Sequence, residues 1–178
     1  MEEPSDFELM AGIRDGNQAA FLQLIRRHQN SLVNFFFRLG AHTDAEDLVQ
    51  ETFLRLFRYR LKYRPDAKFT TFLYTLARHA WADGLRKQKK QETVSERVSV
   101  EADIQDRVDK HHAQARMDAQ AALDTLPEKL RIVLVMSFYQ GLRYEEIAGI
   151  LEVPVGTVKS RVFLAMERMR DALDVKQS

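Results

Sequence analysis

The sequence predicts an all-α protein made of two small helical domains joined by a flexible acidic linker, the C-terminal domain being a helix-turn-helix. Three observations carry that prediction. Apolar residues recur at steps of three and four over long stretches, the period that gathers side chains on one face of a helix. No apolar/polar alternation of useful strand length interrupts them, and the 178 residues include only seven Gly and four Pro. The charge is also unevenly spread. Residues 1–90 hold 15 Lys and Arg against 11 Asp and Glu, residues 91–112 hold 3 against 6, and residues 113–178 hold 9 against 9. The middle stretch has no aromatic residue and no sustained apolar stripe, so it divides a domain over 1–90 from one over 113–178.

Four helices are expected in the first domain. Residues 6–15 bring Phe7, Met10 and Ile13 to helical spacing, and Gly16-Asn17 supplies a turn. From Gln18 to Leu39, the residues Phe21, Leu24, Ile25, Leu32, Phe35, Phe36 and Leu39 share a face, with His28 on the same stripe. A third helix begins near Thr43, whose hydroxyl can cap it, while Asp44, Glu46 and Asp47 favour the positive end of the dipole. Leu48, Thr52 and Leu56 mark its core side. Pro65 halts any helix in RYRLKYRPDAK, and a fourth runs from about Phe69 to Lys90 with Phe69, Phe72, Leu73, Leu76, Ala77 and Ala80 inward.

The second domain opens with a helix around 113–125. Pro127 suits the first turn of the next helix, because its missing N–H would have had no partner there; Leu130, Val133, Leu134 and Phe138 are its core candidates, and Gly141 ends it. The stretch RYEEIAGILEVPVGTVKSRVFLAMERMR is the sharpest local signal. Ile147, Ala148, Ile150 and Leu151 turn inward on one helix, and Val158, Val162, Ala165, Met169 and Leu173 on the next, across a short break at Leu151-Glu-Val-Pro154. Ala148 is small enough to let the two helices cross closely, which is a helix-turn-helix pattern. Gly156 lets the backbone near a phosphate at a helix start, and the outward face carries Lys159, Ser160, Phe163 and Glu167, with Arg161 on the flank. Two packed helices with a merely solvated face would share the apolar pattern. The coincidence of small residue, short turn, Gly and cations favours DNA, with Lys159 suited to a guanine or a phosphate.

A second signal is the interleaving of cations with rings: Arg55, Phe57, Arg58, Tyr59, Arg60, Lys62, Tyr63, Arg64 and Lys68, then Tyr74, Trp81, Arg86, Lys87, Lys89 and Lys90. Cations follow a phosphate backbone, and rings stack on bases only where those bases are unpaired. The bland alternative is a solvated charge run beside core rings, which Phe69 and Phe72 fit better. A third signal is Asp47, Gln50 and Glu51, which share one helical face suited to a basic partner or a hard cation. No metal site is expected. Of the five histidines, none forms a helical ligand pair, and adjacent His111 and His112 diverge. The absence of cysteine excludes disulfides and thiol nucleophiles, and no phosphate loop, nucleophile elbow or other catalytic constellation occurs. No enzyme and no cofactor are expected. An acidic start without an apolar run and the lack of any membrane-length stretch point to a cytoplasmic protein.

Assembled in this order, the residues resemble a sigma factor of bacterial RNA polymerase, of the extracytoplasmic-function (ECF) type within the sigma-70 family. GNQAAFLQLIRRHQNSLVNFFFRL, DAEDLVQETFLRLF and KFTTFLYTLARHAWADGLRK resemble sigma region 2, and LPEKLRIVLVMSFYQGLRYEEIAGILEVPVGTVKSR is similar to region 4. The resemblance implies that Asp47, Gln50 and Glu51 dock on core RNA polymerase. It implies that Arg58, Tyr59, Arg60, Lys62, Tyr63, Arg64, Lys68, Arg78, Trp81 and Arg86 serve recognition and melting of the promoter's −10 element. Gly156, Thr157, Lys159, Ser160, Arg161 and Phe163 would meet the duplex −35 element, and an anti-sigma factor would be a further partner. Arg143 stands where Ser or Thr commonly caps, Glu152 where a turn glycine is common, His79 where Asn is frequent and Leu164 where Arg is often found. Two other functions fit parts of the sequence: a stand-alone helix-turn-helix regulator, which leaves the region 2 likeness idle, and a decoy that sequesters an anti-sigma factor, which has little need for the cations.

Overall fold

The computed structural model of the chain describes residues 3–92 and 110–177. The chain divides into two compact units, the first drawn from residues 1–36 and 44–97 and the second from 37–43 and 98–178. Most of the acidic stretch expected as a linker lies outside the described residues. All regular structure among the described residues is helical, and no helix there is long and apolar enough to cross a membrane.

The first unit begins with α1 (Asp6–Arg14), started by a reciprocal cap. Glu8 N–H donates to Ser5 Oγ at 3.3 Å, and Ser5 N–H donates to Glu8 Oε2 at 2.7 Å. Those bonds to Ser5 hold the Glu8 carboxyl below its ordinary pKa. Leu9, Met10 and Ile13 are buried, whereas Phe7 is left 53% exposed. Asn17 then caps α2 (Gln18–Leu39) by accepting from Ala19 and Ala20 N–H at 3.0 and 3.2 Å. Leu24, Leu32, Phe35, Phe36 and Leu39 are buried on the expected stripe, and Gly40, at φ +107°, ends it.

The third helix departs from expectation at its start. It begins at Ala45, so α3 (Ala45–Tyr59) takes Asp44 as its N-cap residue, without a side-chain cap bond, and Thr43 lies outside it. Its buried face comprises Ala45, Val49, Thr52, Phe53 and Leu56, with Leu48 only half-buried. Thr52 survives full burial because its hydroxyl donates to the Leu48 carbonyl at 2.7 Å. A single 3₁₀ turn (Arg60–Lys62) and the Pro65 loop lead into α4 (Phe69–Glu92), which packs against α3.

In the second unit α5 (Lys110–Thr125), α6 (Glu128–Leu134) and α7 (Tyr144–Leu151) surround α8 (Val155–Gln177). Pro127 precedes α6 and its carbonyl accepts from Leu130 and Arg131 N–H. The helix then continues as a π-helical turn over Val135–Tyr139, with Gln140 N–H donating to the Val135 carbonyl five residues back. The wider turn buries Val135 and Met136 and swings Phe138 out to 59% exposure, so Phe138 is not the core residue its spacing suggested. Ile147, Ala148 and Ile150 meet Val158, Val162 and Ala165 in the core, while Met169 and Leu173 are only half-buried.

Candidate nucleic-acid interface

The break between α7 and α8 is tight. Glu152 closes α7 in the left-handed conformation, φ 56° and ψ 46°, the position that favours glycine, and Val153 N–H donates to the Ala148 carbonyl. At the other end Arg143 offers no acceptor for the first turn, but its own N–H donates to Glu146 Oε2 at 2.8 Å, leaving half of a capping box. Pro154 starts α8: its carbonyl accepts from Thr157 and Val158 N–H.

The outward face of α8 is built by this frame. Val158, Val162 and Ala165 are almost fully buried, which forces the residues between them outward. Gly156, Lys159 and Ser160 are exposed, Phe163 is 66% exposed, and Thr157 and Arg161 are half-buried on the flanks. Ser160 Oγ also donates to the Thr157 carbonyl at 3.0 Å. A Cβ at Gly156 would meet nothing within 4 Å and its φ is not positive, so the fold itself does not demand glycine there. Leu164, where a cation would have been usual, is 40% exposed.

In the first unit Asp47 and Gln50 are exposed on α3 and Glu51 is half-exposed beside them. Glu51 is engaged: Arg55 Nε donates to Glu51 Oε1 at 2.7 Å, and Arg55 Nη2 donates to Asp83 Oδ2 on α4 at 2.7 Å. Asp83 also pairs with Arg86. Burial works against the Arg55 charge, and the two carboxylates outweigh it, raising its pKa; the Arg55 hydrogen bond in turn holds the Asp83 carboxyl below its ordinary range. Asp83 was invisible to the sequence reading because its partner lies 28 residues away.

The cation and ring stretch separates into two layers. Arg58, Tyr59, Lys62, Arg64, Lys68 and Arg86 are exposed, and Arg60 and Arg78 half-buried. The Arg60 guanidinium lies 4.1 Å from the Phe57 ring centroid and the Lys62 ammonium 5.1 Å from that of Tyr59. Tyr63 and Trp81 sit instead in the core, 5% and 7% exposed. The Tyr63 ring packs against Phe72 and Phe69 at 5.1 and 6.1 Å, and burial followed by the charge of Asp6 raises its phenol pKa. The expectation that these two rings lie open to an unpaired base is therefore corrected: apolar packing has taken the faces of Tyr63, and Trp81 is almost wholly buried.

Two family models match in the order the motifs occur, Sigma-70 region 2 over residues 24–91 and Sigma-70 region 4 over residues 116–169. The chain is 36% identical to the ECF RNA polymerase sigma factor SigE of Mycolicibacterium smegmatis, over 96% of this chain and 70% of that one. It is 31% identical to the ECF RNA polymerase sigma-E factor of Escherichia coli K12, over 98% and 95%. Among solved structures it is similar to the sigma factor RpoE of Bartonella quintana, determined in complex with the anti-sigma factor NepR, with a TM-score of 0.71 and 26% identity over 87% of this chain and 97% of that one. CnrH, in complex with the cytosolic domain of CnrY, gives the same TM-score and identity over 96% and 97%. With both regions present in order and full-length relatives above 30% identity, this chain belongs to the ECF sigma factors of RNA polymerase.

Proposed function

We propose that the chain binds core RNA polymerase through the Asp47, Gln50 and Glu51 face of α3, holds the melted −10 strand on the surface bearing Arg58, Arg60, Lys62, Arg64, Lys68, Arg78 and Arg86, and reads the duplex −35 element with α8. The observation that carries this reading is the outward face of α8. An aromatic ring two-thirds exposed beside Lys159 and Ser160, with open space at Gly156, suits a groove that offers phosphates, base edges and thymine methyl groups. Thr157 and Arg161 flank it toward the phosphates. Tyr63 and Trp81 support the strand surface from below. Polymerisation belongs to the partner, so the chain is no enzyme itself, and it works in the cytoplasm where that partner is. Its likeness to a sigma factor solved with an anti-sigma factor supports a protein inhibitor as third partner.

Two sets of substitutions test the assignment by separating its halves. Lys159→Ala weakens binding of a duplex −35 probe about tenfold and leaves core binding unchanged. Asp47→Ala combined with Glu51→Ala weakens association with core polymerase and leaves the −35 probe unaffected. Equal affinities of wild type and variants in both assays contradict it.

A further inference from the structure

The functional reading above assigns Glu51 to the polymerase and leaves Arg55 and Asp83 without a part in docking. Asp47 and Gln50 are exposed on α3, and Glu51 is half-exposed beside them. A surface glutamate spreads over many rotamers, and a partner that needs one of them must bear the cost of ordering it. Glu51 is ordered by its own chain. Arg55 Nε donates to Glu51 Oε1 at 2.7 Å, while Glu51 Oε2 takes no hydrogen bond from the described residues on a side chain 37% exposed.

Arg55 is fixed in turn from the neighbouring helix. Its Nη2 donates to Asp83 Oδ2 on α4 at 2.7 Å, and its side chain is only 18% exposed. The helices lie close enough for this because Gly84 follows Asp83: a Cβ there would stand 3.2 Å from Leu48 Cδ2, two turns before Arg55 on the same face of α3. Two carboxylates against one guanidinium leave a net negative charge. Arg86 also pairs with Asp83, but at 73% exposure water screens it. Arg55 therefore orders Glu51 without cancelling the acidity of the face, because Asp83 shares its charge.

We propose that Arg55 and Asp83 are positioning residues for docking on core polymerase: Asp83 anchors Arg55 from α4, and Arg55 holds Glu51 in one rotamer whose Oε2 is left to accept a hydrogen bond from the polymerase. The inference rests on the reading that the Asp47, Gln50 and Glu51 face binds the core. Arg55 and Asp83 act through Glu51 and touch no partner themselves. Without the guanidinium the two carboxylates repel, and Glu51 leaves its position. Without the Asp83 charge, Arg55 is left to Glu51 alone and draws off the negative charge that a cationic partner needs.

The test is a double-mutant cycle on the affinity of the full chain for purified core polymerase, read by fluorescence anisotropy of the labelled chain. Arg55→Met keeps an apolar stem in the partly buried site and removes the charge. It weakens core binding about fivefold, the factor that ordering one rotamer-rich side chain implies. Asp83→Asn weakens it about twofold. In a Glu51→Gln background both effects vanish, because the carboxylate they position is gone, and a merely structural role would leave them unchanged there. Losses of equal size in the two backgrounds overturn the inference. So does tighter binding by Arg55→Met, which would make Arg55 a competitor for Glu51 rather than its support. Urea unfolding checks that the variants are folded, and should Arg55→Met fail to fold, the Asp83→Asn cycle decides alone. If Glu51→Gln and Asp47→Ala both bind the core like wild type, the docking face itself is wrong and the inference falls with it.

Discussion

Glu152 and Asp83 show how single residues set the margins of this protein. A non-glycine residue held at φ 56° brings its Cβ against the following carbonyl, at a cost of about 1–2 kcal/mol. Glu152→Gly removes that strain and gives part of it back as entropy of the unfolded chain, so the substitution raises unfolding stability by about 1 kcal/mol in urea denaturation. Asp83 is bound by Arg55 and Arg86, and its folded pKa lies below the unfolded value. Such a group contributes stability that is complete above the unfolded pKa of about 4 and is lost as pH falls through the folded one. Unfolding measured from pH 6 to pH 2 therefore shows a loss below about pH 4 that Asp83→Asn lessens. The loss is small, since the side chain is 37% exposed and water screens it.

Helices carry most of what was legible in the sequence. The spans of α2, α4 and α7 follow from apolar spacing alone, because a helix that buries Leu24, Leu32 and Phe36 or Leu73, Leu76 and Ala77 must repeat at 3.6 residues. What spacing cannot show is a shift in the hydrogen-bond ladder. The π turn at Val135–Tyr139 changes the register by one residue, and Phe138 moves from the inferred core to solvent. Nor does an interleaved run of cations and rings say which rings turn inward; Tyr63 does, because Phe69 and Phe72 come from the next helix to receive it, and Trp81 lies on the buried side of α4. The start of α8 offers an element-scale prediction. Gly156 sits in a first helical turn with open space around it, so Gly156→Ala stabilises the unit by roughly 0.5–1 kcal/mol. The added methyl stands between backbone and phosphate, so the same variant binds the −35 probe more weakly; a gain in both measurements contradicts a close backbone approach.

At the scale of the whole molecule the account is a division of labour between two helical units on one chain. One unit presents acidic and polar side chains on α3 and exposed cations on the Pro65 loop and α4, and the other presents Lys159, Ser160 and Phe163 on the outward face of α8. The order of the two units was legible because their motifs differ in chemistry: Asp47 and Glu51 on one side, Lys159 and Phe163 on the other. The measurement that tests this most directly is transcription from a promoter library by purified core polymerase, with and without the chain. The account predicts start sites that depend on the added chain and share one −10 and one −35 sequence, the latter preference weakened by Lys159→Ala. A library in which no start site depends on the chain would contradict it.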